Sequence, residues 1–268
     1  SLESLCLCGE RKIVTISFSV GRGIGPETSE PVLEHVSFKA KKGDTVAFIG
    51  STGSGKSTLV NLIPRFYDVR SGEVLVDGVN VRRMKLHQLR SNIGVAMQDV
   101  ILWSDTIDGN ISFYDTDMSE EDVHYFAKLS DADEFIQKLP EGYDTIIGER
   151  GVGLSGGQKQ RISLARALAM RPSILILDDT TSAVDLETEK EIQHNLADLD
   201  FKCTKIIIAQ RISSAKNADK IIILKDGKIS ECGTHDELLK NPDGYYSEIY
   251  RLQNGDYDVK GGGLNGKE

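Results

Sequence analysis

Short, continuous apolar runs punctuate this chain more clearly than long amphipathic ones. Thr45-Val-Ala-Phe-Ile49, Ser173-Ile-Leu-Ile-Leu-Asp178 and Lys205-Ile-Ile-Ile-Ala209 carry apolar residues without alternation. That is the pattern of strands covered on both faces, as in a parallel sheet flanked by helices. The amino-terminal part reads differently. Ile13 to Ser19 alternates, Gly21-Arg-Gly-Ile-Gly-Pro26 interrupts the pattern, and Val32 to Ala40 reads as a second strand, so a hairpin-like β region precedes the first buried run. Further strands are expected around Glu73 to Val76, with a turn at Asp77-Gly78, and from Asn92 to Met97. From about Gln98 to Met170 the signals become mostly helical. Ser119 ahead of Glu120 and Glu121 marks one helix start and Asp131 to Lys138 another helix, which predicts a helical subdomain inserted into an α/β core. Ile221 to Leu224 and Lys228 to Cys232, joined at Asp226-Gly227, predict a terminal hairpin.

The best-defined chemistry lies between the first buried run and the helix after it. Gly50-Ser-Thr-Gly-Ser-Gly-Lys-Ser-Thr58 is a P-loop pattern in strand-to-helix context. Its glycines let the backbone N–H groups of Ser51, Thr52, Gly53, Ser54 and Gly55 cradle a phosphate chain, while Lys56 reaches the terminal phosphates. Ser57 can ligate Mg²⁺, and the helix carrying Ser57 and Thr58 points its positive end at the anion. This predicts a nucleoside triphosphate site, on a helix ending near Ile63 because Pro64 follows. Ile174-Leu-Ile-Leu-Asp178 fits the companion motif, a buried strand whose terminal carboxylate, Asp178, stands by the metal. Asn217-Ala-Asp-Lys220 has the wrong order for guanine recognition, so a GTPase reading gains nothing.

The 268 residues allow one large domain or two intimate subdomains, and the net charge of −9 without a basic tract disfavours a nucleic-acid partner. Of Cys6, Cys8, Cys203 and Cys232, only Cys6-x-Cys8 is a close pair, and it lacks the second half of a zinc site, so all four read as reduced, cytosolic thiols. Asn110-Ile-Ser112, formally a glycosylation acceptor, is then idle. No apolar run approaches the roughly 18 residues that span a bilayer and no signal pattern opens the chain, so the chain as given is expected to be soluble. Residues 1–11 read as a leader or linker and those from about Asn254 to 268 as a glycine-rich, frayed tail.

Leu154-Ser-Gly-Gly-Gln158, followed by Lys159-Gln-Arg161 and an apolar-periodic helix to Met170, resembles the signature of ATP-binding cassette (ABC) proteins. Ser155 would also cap that helix, and cap and signature share one physics: a helix start with two glycines offers bare N–H groups to a phosphate. The resemblance covers roughly residues 13 to 253. It implies a RecA-like P-loop NTPase core with an antiparallel β subdomain and an inserted helical subdomain at about 98–170, all within a nucleotide-binding domain spanning 12–253. The cofactors it implies are ATP and Mg²⁺, with Ser57, Gln98 and Asp178 near the metal. Ser155, Gly156, Gly157 and Gln158 would meet the γ-phosphate held by a second cassette. Gln98 resembles the family's Q-loop glutamine, Ser182-Ala-Val-Asp185 its D-loop, and Glu149-Arg150-Gly151 the exporter segment that touches the membrane domains. Asp236-Glu237-Leu238-Leu239 after Gly233-Thr234-His235 is also exporter-like, with His235 read as a capping or surface residue. The implied partners are transmembrane domains and a second cassette, at the cytoplasmic face of a membrane. Trp103 either faces those domains or is buried in the helical subdomain.

Three positions depart from the family pattern. Where a water-polarising glutamate is usual, the chain has Asp179, one methylene short; a C–C bond is about 1.5 Å, and a misplacement of about 1 Å can cost on the order of 100-fold in rate. The switch histidine is replaced by Gln210, which donates a hydrogen bond but carries no proton. The adenine-stacking aromatic should fall near Ile16-Ser-Phe-Ser-Val20, which offers only Val20. With Asp179, Gln210 and Gln98 as the catalytic candidates, the resemblance is to the degenerate-site half of a heterodimeric exporter of low intrinsic turnover. A homodimer using Asp179 as it stands, a regulatory ATP-binding module and a cassette ATPase without membrane partners remain alternatives.

Overall fold

The computed structural model describes residues 16–22 by their backbone, and 32–148 and 153–254 in full. The expectations for residues 1–11, Cys6, Cys8, the interruption past Arg22, Glu149-Arg150-Gly151 and the tail beyond Asn254 lie outside the described residues, as does the side chain of Val20.

Two sheets form the frame. The first is antiparallel, in the order β2 (Glu34–Ala40), β1 (Ile16–Arg22), β4 (Ser71–Val76), β5 (Val79–Asn80). The second has the order β10 (Lys228–Gly233), β9 (Lys220–Lys225), β3 (Thr45–Ile49), β8 (Thr204–Ile208), β7 (Ile174–Asp178), β6 (Ile93–Ala96). Its neighbours from β9 to β6 pair in parallel, and β10 closes the edge as the expected hairpin. The continuous apolar runs are therefore parallel strands, and Val46, Phe48, Leu175, Ile176, Ile206 and Ile222 are all buried. Phe38 of β2 meets Phe48 of β3 edge-on, with ring centroids 5.2 Å apart, which ties the two sheets together.

Helices cover both faces. On one, α1 (Lys56–Asn61) and α2 (Leu86–Arg90) pack Leu59, Val60 and Leu89 between the two sheets. On the other lie α3 (Ile107–Ile111), α4 (Glu120–Leu129), α5 (Asp133–Gln137), α6 (Gly156–Ala169) and α7 (Leu186–Ala197). Their apolar residues Ile107, Phe126, Ile136, Ile162 and Ile192 share one cluster with Leu175 and Leu177, so the helical segment is continuous with the core of the parallel sheet. The carboxy-terminal α8 (His235–Leu239) and α9 (Tyr245–Asn254) pack Leu238 and Tyr246 against Ile221 and Ile223 of β9.

Where element limits differ from expectation, local chemistry explains it. The P-loop helix ends at Asn61, not Ile63; Leu62 and Ile63 continue as tighter turns that donate to Leu59 and Val60 ahead of Pro64. Ser119 caps α4 by accepting from the Asp122 amide, as the sequence predicts. Cys203 and Cys232 are free thiols, the first buried and the second exposed. Trp103 is 49% exposed and stacks on Phe113, itself 54% exposed, with centroids 5.5 Å apart. Among the described residues no helix is long and apolar enough to cross a membrane.

Candidate functional site

Because β3, β6, β7 and β8 run parallel, their carboxyl ends open on one side, and the loops leaving them converge there. A cavity of about 340 Å³ lies at that edge. From the P-loop it is lined by Thr52, Gly53, Gly55, Lys56, Ser57 and Thr58; from the other strand ends by Gln98, Asp178, Asp179, Ile208 and Gln210. Residues scattered over more than half of the chain thus meet in one place.

The P-loop is built by backbone geometry. Gly55 holds φ +96, and a Cβ there would stand 2.7 Å from Leu33 Cδ2, so the position requires glycine twice over. Gly55 is also the N-cap of α1 and makes no side-chain cap, which leaves the first amides of that helix without a side-chain acceptor. Ser51 and Ser54 do not line the cavity but hold its lysine: Lys56 Nζ donates to the carbonyls of Gly50 (2.8 Å) and Ser51 (2.9 Å) and to Ser54 Oγ (3.4 Å). Burial lowers the Lys56 ammonium from its ordinary range, while Asp178 and Asp179 oppose that by their charge.

Burial pushes the Asp178 and Asp179 carboxyls up, the Asp178 shift being moderated by a hydrogen bond with Ser57 and the charge of Lys56. Asp178 Oδ1 is buried without a hydrogen-bond partner. An orphaned carboxylate oxygen beside a serine hydroxyl is the hard-oxygen donor set that Mg²⁺ takes when waters and phosphates complete its shell. The residues therefore fit that cation, although no group of three or more His, Cys, Asp or Glu side chains gathers around any point among the described residues.

Asp179 is 6% exposed and sits at φ +52. Its Oδ2 accepts from Gln210 Nε2 at 2.6 Å, a contact between the two departures from the family pattern. The signature residues Ser155, Gly156, Gly157 and Gln158 do not line the cavity. They open α6 with a full capping box: Gln158 N–H donates to Ser155 Oγ (3.3 Å) and Ser155 N–H to Gln158 Oε1 (2.9 Å). His235 lies outside the cavity too, with Nδ1 2.7 Å from the Tyr246 hydroxyl, while Thr234 caps α8.

Several contributors were not foreseen in the sequence. Val32, 42% exposed, lines the cavity and offers an apolar surface where Val20 was the sole candidate. Gln160 joins the signature helix to the site: its Nε2 donates to Ser182 Oγ (3.2 Å) and the Asp179 carbonyl (3.4 Å), and its Oε1 accepts from Ala183 N–H (3.2 Å). Glu189 on α7 is 1% exposed and accepts from Arg211, the residue after Gln210. A glutamine in a signature run and a glutamate in a charged helix carry no local mark of these roles.

Comparison with known proteins agrees with this geometry. The family model described as ABC transporter matches residues 33–182, more than half of the chain. Putative multidrug export ATP-binding/permease proteins of Staphylococcus aureus strains NCTC 8325 / PS 47 and bovine RF122 / ET3-1 are each 49% identical over 228 residues, covering 85% of this chain and 39% of the relative. The chain thus spans about two fifths of the length of these curated relatives. Among solved structures, a bacterial Atm1-family ABC exporter with ATP bound superposes with a TM-score of 0.85 at 37% identity, over 90% of this chain and 42% of that one. A P-loop, a strand-end aspartate and a capped glycine signature on one parallel-sheet frame, together with these matches, place the chain in the ABC transporter family, whose α/β ATPase domain it carries.

Proposed function

We propose that this chain is the ATP-driven cassette of an exporter, that its own nucleotide site turns over slowly, and that its signature completes a faster site on a second, different cassette. ATP would lie in the cavity with its phosphates on Thr52 to Thr58 and Lys56. Ser57, Asp178 and Gln98 would hold Mg²⁺, which supplies charge neutralisation to the phosphates. Val32 would take the adenine side.

The observation that carries the slow-site reading is the 2.6 Å hydrogen bond from Gln210 Nε2 to Asp179 Oδ2. A carboxylate that polarises water needs a lone pair aimed at it. Asp179 is one methylene shorter than glutamate, and one of its oxygens is already occupied by an amide that cannot change protonation state. Gln210 in turn directs an N–H at Asp179 that a γ-phosphate would otherwise receive. The signature keeps the features that support this reading: Ser155 accepts its capping bond and keeps its hydroxyl proton for a phosphate oxygen, and the exposed Gly156 puts no side chain in front of the helix start. Exposed Trp103, Phe113, Tyr114 and Ile101 form an apolar surface suited to a membrane-domain partner at the cytoplasmic face of a membrane. The net charge of −9 offers nothing to nucleic acid.

The test is ATP binding and turnover by this chain alone, as Asp179→Glu, and mixed with a cassette bearing both the glutamate and the histidine. Slow turnover alone and about 100-fold faster turnover in the mixture is the expected result, the factor being that of a misplaced catalytic group. Full recovery in Asp179→Glu alone would favour a homodimer, and no turnover in any mixture a regulatory module. Brisk hydrolysis by the unmixed chain, or ATP affinity unaffected by Lys56→Ala, overturns the proposal.

A further inference from the structure

We infer that Gln253, on the last turn of α9, is the positioning residue that fixes the segment carrying Gln210. After β8 the chain runs through Gln210 and Arg211 to a short 3-10 turn at Ile212–Ser214, and Arg211 is extended, with φ −103 and ψ 138. An extended residue turns the preceding carbonyl and the following N–H to the same edge, where a neighbouring parallel strand would pair with both. No strand lies there among the described residues. The primary amide of Gln253 takes its place: Oε1 accepts from Ile212 N–H at 2.8 Å, and Nε2 donates to the Gln210 carbonyl at 2.9 Å. The orientation of the amide is dictated by these partners, since the reverse would set donor against donor and acceptor against acceptor.

The helix that presents Gln253 is anchored independently. Tyr246, fully buried, bonds His235 Nδ1 at 2.7 Å; Ser247 Oγ donates to the Asn241 carbonyl at 2.7 Å; Tyr245 N–H donates to Glu231 Oε1 at 2.7 Å. Tyr246, Tyr250 and Gln253 recur at helical spacing on one face, so anchoring the first aims the last. The segment is held from two other directions as well. The Gln210 side chain reaches Asp179, and Arg211 Nη1 donates to Glu189 Oε2 at 3.2 Å. Gln253 is the link from the carboxy-terminal helix, so a displacement of α9 becomes a displacement of the Gln210 amide at the mouth of the cavity. Gln253 itself does not line that cavity.

This inference rests on the reading that the Gln210 amide, which gives one N–H to Asp179, has its second N–H available for the γ-phosphate, but not on whether the site is slow. The experiment uses the whole 268-residue chain as wild type, Gln253→Leu and Gln253→Glu. Leucine makes neither bond; glutamate keeps the acceptor for Ile212 N–H and sets an oxygen against the Gln210 carbonyl. The first readout is hydrogen exchange at the Ile212 amide without nucleotide. Exchange should quicken about tenfold in Gln253→Leu, as for the loss of one ordinary hydrogen bond, and much less in Gln253→Glu. The second readout is the ratio of ATP to ADP affinity. Both variants should lower it several-fold with ADP affinity unchanged, because the P-loop is untouched. Gln253 is exposed, so both variants should fold, and a thermal melt checks this. Equal exchange in all three proteins, or ATP and ADP affinities falling together, overturns the inference. A wild-type chain that binds no ATP defeats the proposed function instead, while the exchange arm still reads the Gln253 contact.

Discussion

Replacing Arg211 with methionine would strand a buried carboxylate. Glu189 is 1% exposed and receives Arg211 Nη1 at 3.2 Å, Gln193 Nε2 at 3.2 Å and the hydroxyls of Ser213 (3.2 Å) and Ser214. Removing one partner of a buried ion pair typically costs about 3–5 kcal/mol. Arg211 is 39% exposed, and three neutral donors stay in place. Screening and the remaining hydrogen bonds bring the expected loss to about 2–3 kcal/mol. At roughly 2–4 °C per kcal/mol for a chain of about this size, Tm should fall by about 4–12 °C. Differential scanning calorimetry of wild type, Arg211→Met, Glu189→Leu and the double variant gives the coupling directly. The double variant should be less destabilised than the two singles summed, because each single leaves a group the other no longer strands. A Tm drop under about 1 °C in Arg211→Met, or strict additivity in the cycle, would refute the idea that this pair joins α7 to the segment carrying Gln210.

Two further outcomes follow from packing and ionisation. Burial, then Tyr250 and Asp236, pushes the Tyr246 hydroxyl up to about 12. The unfolded chain loses that proton near pH 10, so the folded chain binds more protons in between and stability falls as pH rises through the window. Tyr246→Phe, with no proton to lose, should show a shallower fall of Tm between pH 9 and pH 12, and parallel slopes would refute the assignment. At the signature, a Cβ on Gly157 would lie 2.8 Å from the Ala183 carbonyl oxygen, whereas one on Gly156 meets only Ala183 Cβ at 3.5 Å. Gly157→Ala should therefore lower Tm despite the roughly 1 kcal/mol helix gain of alanine, while Gly156→Ala leaves it equal or higher; the reverse order would show that the segment around Ala183 yields.

The sequence by itself determined the parallel strands, the terminal hairpin, the P-loop and the capped signature helix. Each is written in neighbouring residues: an unbroken apolar run, an aspartate and a glycine at a turn, glycines at fixed spacing ahead of a lysine and a serine, a serine ahead of a glutamine at capping distance. The Asp179 and Gln210 departures were equally legible, because each is an identity at a fixed place in a motif. That the two touch was not, since they stand 31 residues apart, just past the ends of different strands, and meet only because β7 and β8 pair in register. Glu189 sits in the run Glu187 to Glu191, which reads as a solvated helix face, yet packing against the segment after β8 buries it. Val32 and Gln253 acquire their places in the same way, from segments outside the parallel strands that pack against the loops at their ends. Local pattern fixes which face of one element is apolar; which polar group meets which is decided by how the elements stack, because a hydrogen bond needs its partner in reach and direction, whatever the distance along the chain.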